Sequence, residues 1–207
     1  MMFPYLDPTI VLLIPAVLFS LWAQFKVKGA FSRYSEVRAS SGVTADQVSR
    51  ELLDRFGLGN VRVERIQGHL TDHYDPRSKV LRLSDAVAGN SSIAAIGVAA
   101  HEVGHAIQDK EGYAFLRFRN SIVPAVNIGS TMSMPLFFIG LIMGSAPLLN
   151  IGILLFCGVL VFHLVTLPVE FDASARALKL LSETGLLKGS EVGGAKAVLD
   201  AAALTYV

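Results

Sequence analysis

The chain has 207 residues, of which 52% are hydrophobic and 17% charged, with mean hydropathy +0.51 and a formal net charge of +1. A charged fraction this far below the ~25% usual for soluble domains argues against a wholly water-soluble protein, and a charge near zero gives no electrostatic case for nucleic-acid binding. The one cysteine, Cys157, lies in an apolar stretch and excludes an intramolecular disulfide.

The first apolar stretch runs from about Pro8 to Phe25, with Trp22 near its end and Lys26 and Lys28 just beyond. It is close to the ~20 residues that cross a bilayer. Its leading residues carry no Lys or Arg and no clear cleavage site follows, so it reads as an uncleaved anchor over 1–25.

Residues 44–56 read as an amphipathic helix. Thr44 and Gln47 form a capping box, Val48, Leu52, Leu53 and Phe56 the apolar stripe, and Gly57 and Gly59 the stop. Val61–Ile66 and Val80–Leu83 alternate as strands do, with an Asp75-Pro76 turn between them. The expected order is helix, small antiparallel sheet, then a second helix. A strand near the site could take up an extended peptide by edge pairing.

Ser91 and Ser92 offer N-caps to that second helix, whose small apolar run ends in His101-Glu102-Val103-Gly104-His105. The H-E-x-x-H spacing puts two imidazoles on one helical face with a carboxylate beside them. Neutral imidazoles are zinc ligands, and a carboxylate so placed can take a proton from an attacking water. The two small residues before His101, and Gly104 inside the motif, predict close packing around the site.

Two further spans follow, at about Ile122–Met143 and Leu148–Val169, forming a hairpin over 121–169. Lys26, Lys28, Arg33 and Arg38, then Arg117 and Arg119, then Arg176 and Lys179 all flank the same side, whereas 144–147 is uncharged. The positive side is cytoplasmic by rule, so region 26–120 is expected to face the cytoplasm.

A catalytic zinc site uses three protein ligands. The candidates for the third are Glu170 and Asp172 just past the last span, His163 inside it, and His69 and His73 before the motif. Glu170 leads. Pro168 suits the first turn of a new helix, which would carry Glu170 to the side of His101 and His105 within a third-ligand region, 170–207. On spacing alone, Glu170 reads equally well as a helix-start acid facing the macrodipole. Asp172 is the nearest rival, or a partner that orients a ligand imidazole. Tyr206 is a candidate oxyanion donor. His163 reads as an interhelical contact, and His69 and His73 as surface or hairpin residues.

Three runs, Asp72–Ser84, Gly97–Gln108 and Leu167–Ser174, together resemble the YugP-like family of bacterial membrane zinc metallopeptidases. The likeness extends over nearly the whole chain. It implies a mainly α membrane protein: transmembrane helices plus a small α+β, zincin-like (gluzincin-like) catalytic domain carrying the H-E-x-x-H helix. It implies one Zn2+ on His101, His105 and Glu170, with Glu102 as general base. It also implies a further apolar span beyond residues 201–207. The expected activity is endopeptidase cleavage of peptides or membrane proteins at the cytoplasmic face of the bacterial inner membrane. The lipid bilayer is then the other partner, and no nucleic acid is expected. A zinc-binding scaffold without peptidase activity is the alternative. Such structural sites are usually closed by four Cys or His ligands, and Cys157 stands alone. A non-peptide amide substrate would use the same chemistry.

Overall fold

The computed structural model describes residues 13–206, with side chains over 14–205. Its helices are α1 (Leu13–Ser35), α2 (Ala45–Arg55), α3 (Ile93–Glu111), α4 (Ala114–Met143), α5 (Ala146–Glu183) and α6 (Ser190–Ala203). A short 3-10 turn, Leu204–Tyr206, follows. The strands are β1 (Arg62–Ile66), β2 (His73–Asp75) and β3 (Val80–Ser84).

The central helix is α3. It packs against α1, α2, α5 and α6, and a helix covered on most sides must be apolar nearly all round. This accounts for Ala94, Ala95, Ile96, Ala99, Ala100, Val103, Ala106 and Ile107, all buried. Around it, Val48, Leu52 and Leu53 of α2, Leu81 and Leu83 of β3, and Ala177 and Leu181 of α5 complete one core. The capping box holds: Thr44 N donates to Gln47 Oε1 at 3.1 Å.

The sheet departs from the antiparallel pair expected. Its order is β1-β3-β2, with β1 parallel and β2 antiparallel to β3. The Asp75-Pro76 turn joins β2 to β3, and β1 lies on the far side of β3. Three residues, His73-Tyr74-Asp75, are too few to show an alternating pattern, so β2 was hidden in the sequence. Asp75 holds the turn by accepting from Arg77 N at 2.9 Å and Ser78 Oγ at 2.6 Å. These hydrogen bonds, the Ser78 one foremost, lower its carboxyl to about 2.

α4 and α5 form an antiparallel hairpin, and among the described residues they are the helices long and apolar enough to cross a membrane. Their apolar side chains point outward: Ile142 is 84% and Leu154 72% exposed. Where they touch, small residues set the spacing. A Cβ on Gly152 would meet Phe137 N at 2.8 Å and Ser133 O at 2.9 Å, so backbones approach closely there. The expected first anchor is described only from Leu13 onward, where α1 exposes Val17, Leu18, Trp22 and Phe25; its earlier part lies outside the described residues.

Pro168 begins no new helix. α5 runs unbroken from Ala146 to Glu183 with Pro168 inside it. The cost of the missing N–H is outweighed by burying Val169, Ala173, Ala177 and Leu181, all fully covered. Glu170 therefore stands in mid-helix, and the helix-start reading of this residue is withdrawn.

Candidate metal centre

Ser92 caps α3 by accepting from Ala95 N at 3.3 Å. From this start His101 and His105 fall on one face, one turn apart, with their rings edge to face at 4.7 Å between centroids. Glu170 of α5 meets them. Its Oε2 lies 3.1 Å from His101 Nε2 and 3.6 Å from His105 Nε2. The three ligand atoms lie within 4.8 Å of one another. Glu170 is only 5% exposed, and a carboxylate so buried requires positive partners. Two imidazoles and one carboxylate also form a donor set used by catalytic zinc sites. The residues present fit a zinc ion.

Close approach of α3 and α5 makes this meeting occur. A Cβ on Gly104 would lie 2.6 Å from Ala173 O, so only glycine allows the two backbones so near. The packing expected around the motif is thus found, and its partner is the helix that carries Glu170.

The imidazoles are oriented by groups that sequence reading missed. Gln108 Nε2 donates to Val169 O and to Asp172 Oδ2, both at 2.8 Å. With its amide nitrogen so engaged, Oε1 faces His105 Nδ1 at 3.0 Å and must accept from it. His105 Nδ1 therefore carries a proton, and Nε2 is the ring nitrogen that faces Glu170. Similarly, His101 Nδ1 lies 3.1 Å from Ser174 Oγ. Burial pushes the His105 imidazole down, but the Glu170 hydrogen bond and the Glu102 and Glu170 charges more than offset it, leaving the pKa raised. Gln108 lies one turn beyond His105 and Ser174 one turn beyond Glu170. That periodicity was the available signal.

Asp172 is not in the cluster. Its Oδ2 accepts from Gln108 and, at 2.6 Å, from Arg176 Nε, whose guanidinium also reaches Glu111 at 2.6 Å. Its influence on His105 therefore passes through Gln108, a correction to the direct contact expected. Replacing Gln108 with Ala is expected to weaken zinc binding about 10–100-fold, the usual cost of losing such a partner; chelator competition measures this.

The other candidates stand apart. His69 packs edge-on against Phe31 at 5.4 Å. His73 lies on β2 with Nδ1 2.9 Å from Thr71 O. His163 lies in the apolar part of α5, beside Phe162. Tyr206 ends the 3-10 turn, and its side chain lies outside the described residues.

Glu102 is 8% exposed and lines two cavities of about 270 Å³ each that share His101, Glu170 and Asp72. One is mostly apolar, walled by Val27, Phe31, Leu70, Val98 and Val198. The other is polar and reaches His105, Tyr74, Arg119 and Asn120. Asp72, to which sequence reading gave no role, is clamped to the end of β3 by Ser84 N at 2.7 Å and Ser84 Oγ at 2.9 Å. Tyr74 Oη donates to Asp109 Oδ2 at 2.7 Å and pins β2 to α3.

The protein is thus mainly helical, with two helices long and apolar enough to span a bilayer and a His-His-Glu cluster that could hold a metal ion. The chain belongs to the family described as "Putative neutral zinc metallopeptidase", which matches residues 9–207. It is 50% identical over 198 residues to "Putative membrane protease YugP" of Bacillus subtilis (strain 168), covering 96% of this chain and 88% of that protein. No solved structure matches.

Proposed function

We propose that the protein is a membrane-embedded, zinc-dependent endopeptidase with a zincin-like (gluzincin-like) site. The observation that carries this reading is the convergence of His101 Nε2, His105 Nε2 and Glu170 Oε2, with Glu102 in the wall of the same cleft. His101, His105 and Glu170 would hold one Zn2+, which when bound supplies Lewis-acid polarisation and acidifies water. Three ligands among the described residues match the open, catalytic kind of zinc site.

The chain's own groups supply the rest. Glu102 takes the proton of the attacking water and returns it to the leaving amine. Gln108 and Ser174 keep the two imidazoles aimed with Nε2 inward. The apolar cavity accepts a side chain on one side of the scissile bond. β2 lies at the sheet edge beside the polar cavity, a position suited to pairing with an extended substrate.

Arg117 and Arg119 near the start of α4, and Arg176 and Lys179 in the distal part of α5, belong to the same end of the hairpin as the cluster. By the positive-inside rule this end faces the cytoplasm of a bacterial inner membrane. Region 26–120 would then be the catalytic part and 170–207 the third-ligand part, with 121–169 in the bilayer. Peptides and membrane-protein segments near the membrane surface are the substrates such a placement favours.

The test is peptide hydrolysis by the full chain in detergent or nanodiscs, before and after chelation. Activity should vanish on zinc removal and return with zinc. Glu170→Ala should bind zinc at least tenfold more weakly. Activity that survives complete zinc removal would overturn the reading.

A further inference from the structure

We infer that Arg119 is a carboxylate-binding group of the substrate cleft, selecting peptides that place a negative charge on the polar side of the scissile bond. This rests on the peptidase reading above.

Arg119 is partly buried on α4 and lines the polar cavity together with Glu102, His105 and Asn120. Its Nε is buried and has no hydrogen-bond partner among the described residues. Arg176, by contrast, is held by Asp172 and Glu111. A guanidinium is always charged, and its planar fork matches a carboxylate in two parallel hydrogen bonds. A side chain that lines a cavity wall with its Nε left without an acceptor is therefore suited to an acceptor that arrives with the ligand.

The charges of the cleft favour this arrangement. Asp72, Glu102 and Glu170 each contribute a negative charge to the polar cavity, and among the described residues Arg119 is the only arginine or lysine that lines it. A divalent ion on the His-His-Glu cluster and Arg119 together balance those three carboxylates. Without Arg119, an incoming carboxylate would meet a net negative wall. The second cavity, which shares His101 and Glu102, is lined largely by apolar groups from α1, α3 and α6. A peptide across the cleft would place an apolar side chain there and its carboxylate against Arg119. That carboxylate can come from a chain terminus or from an acidic side chain.

The probe is one short alanine–leucine peptide, labelled with a fluorophore, in three forms: fully amidated, with a free C-terminal carboxylate, and amidated with one Glu in place of Ala. Binding is measured by anisotropy to the zinc-loaded Glu102→Gln protein, so that no turnover is needed. At least one carboxylate form is expected to bind about tenfold more tightly than the amide, and which one identifies the source of the charge. Adding Arg119→Ala should bring that ratio close to one, and Arg119→Lys should restore part of it. Equal binding of all three peptides, or a preference that survives Arg119→Ala, overturns the assignment. Zinc content and melting temperature identify a variant that has merely unfolded, in which case Arg119→Lys decides. In the wild type, an oxyanion role would instead show Arg119→Ala lowering kcat equally for all three peptides. If the wild type cleaves none of them while the carboxylate preference persists, the peptidase reading fails and the binding site stands.

Discussion

Glu102→Gln is expected to retain zinc at one ion per chain and to lose hydrolysis by about 10²–10⁴-fold, the range ascribed to general-base catalysis. Glu102 stands next to His101 in α3, yet its carboxylate is absent from the three-residue cluster that could hold the ion. It lines both cavities and is almost fully covered, which puts it in the wall of the cleft. Gln keeps the size and the hydrogen-bonding shape but cannot take a proton near neutral pH. Zinc content and kcat on the same preparation check this. A normal rate would remove Glu102 from its role, and loss of zinc would make it a ligand.

Gly104→Ala should damage both the fold and the metal centre. The new Cβ would meet Ala173 O at 2.6 Å and Ala173 Cα at 3.1 Å. Both are backbone atoms of a packed helix, so no side chain can swing aside. α3 and α5 must separate, and α5 carries Glu170 one turn before Ala173. Overpacking of this kind costs about 1–3 kcal/mol, or roughly 2–4 °C of melting temperature per kcal/mol for a chain of this size. Separation of Glu170 from the imidazoles should also weaken zinc binding by at least tenfold. Gly97→Ala is the control. Its Cβ would meet the Ala195 Cβ at 3.3 Å, a side-chain contact with α6, and should cost much less. Equal effects from the two would mean that the α3–α5 contact does not set the site.

The sequence carried the parts of the protein that repeat at short range. H-E-x-x-H on a helix, the Thr44–Gln47 capping box and two long apolar stretches are all local patterns, and each appears where expected. Glu170 was also reachable, because few acids lie near the end of a span. What was misread was read from local rules alone. Pro168 looked like a helix start, but burial of Val169, Ala173 and Leu181 keeps α5 continuous. β2 was too short to show its period, so the parallel pairing of β1 with β3 was invisible. Asp172 was a candidate for direct contact with a ligand imidazole, and Gln108 stands between it and His105.

By itself, then, the amino-acid order determined the groups available: two imidazoles on one face of one helix with a carboxylate beside them, and apolar segments long enough for a bilayer. Tertiary structure decided which carboxylate joins them. Side-chain periodicity places residues on a face within one helix, but says nothing about which helix lies opposite or how near. That distance is set by the Gly104–Ala173 contact. Through it, Glu170 reaches both Nε2 atoms, and Gln108 bridges His105 to Asp172.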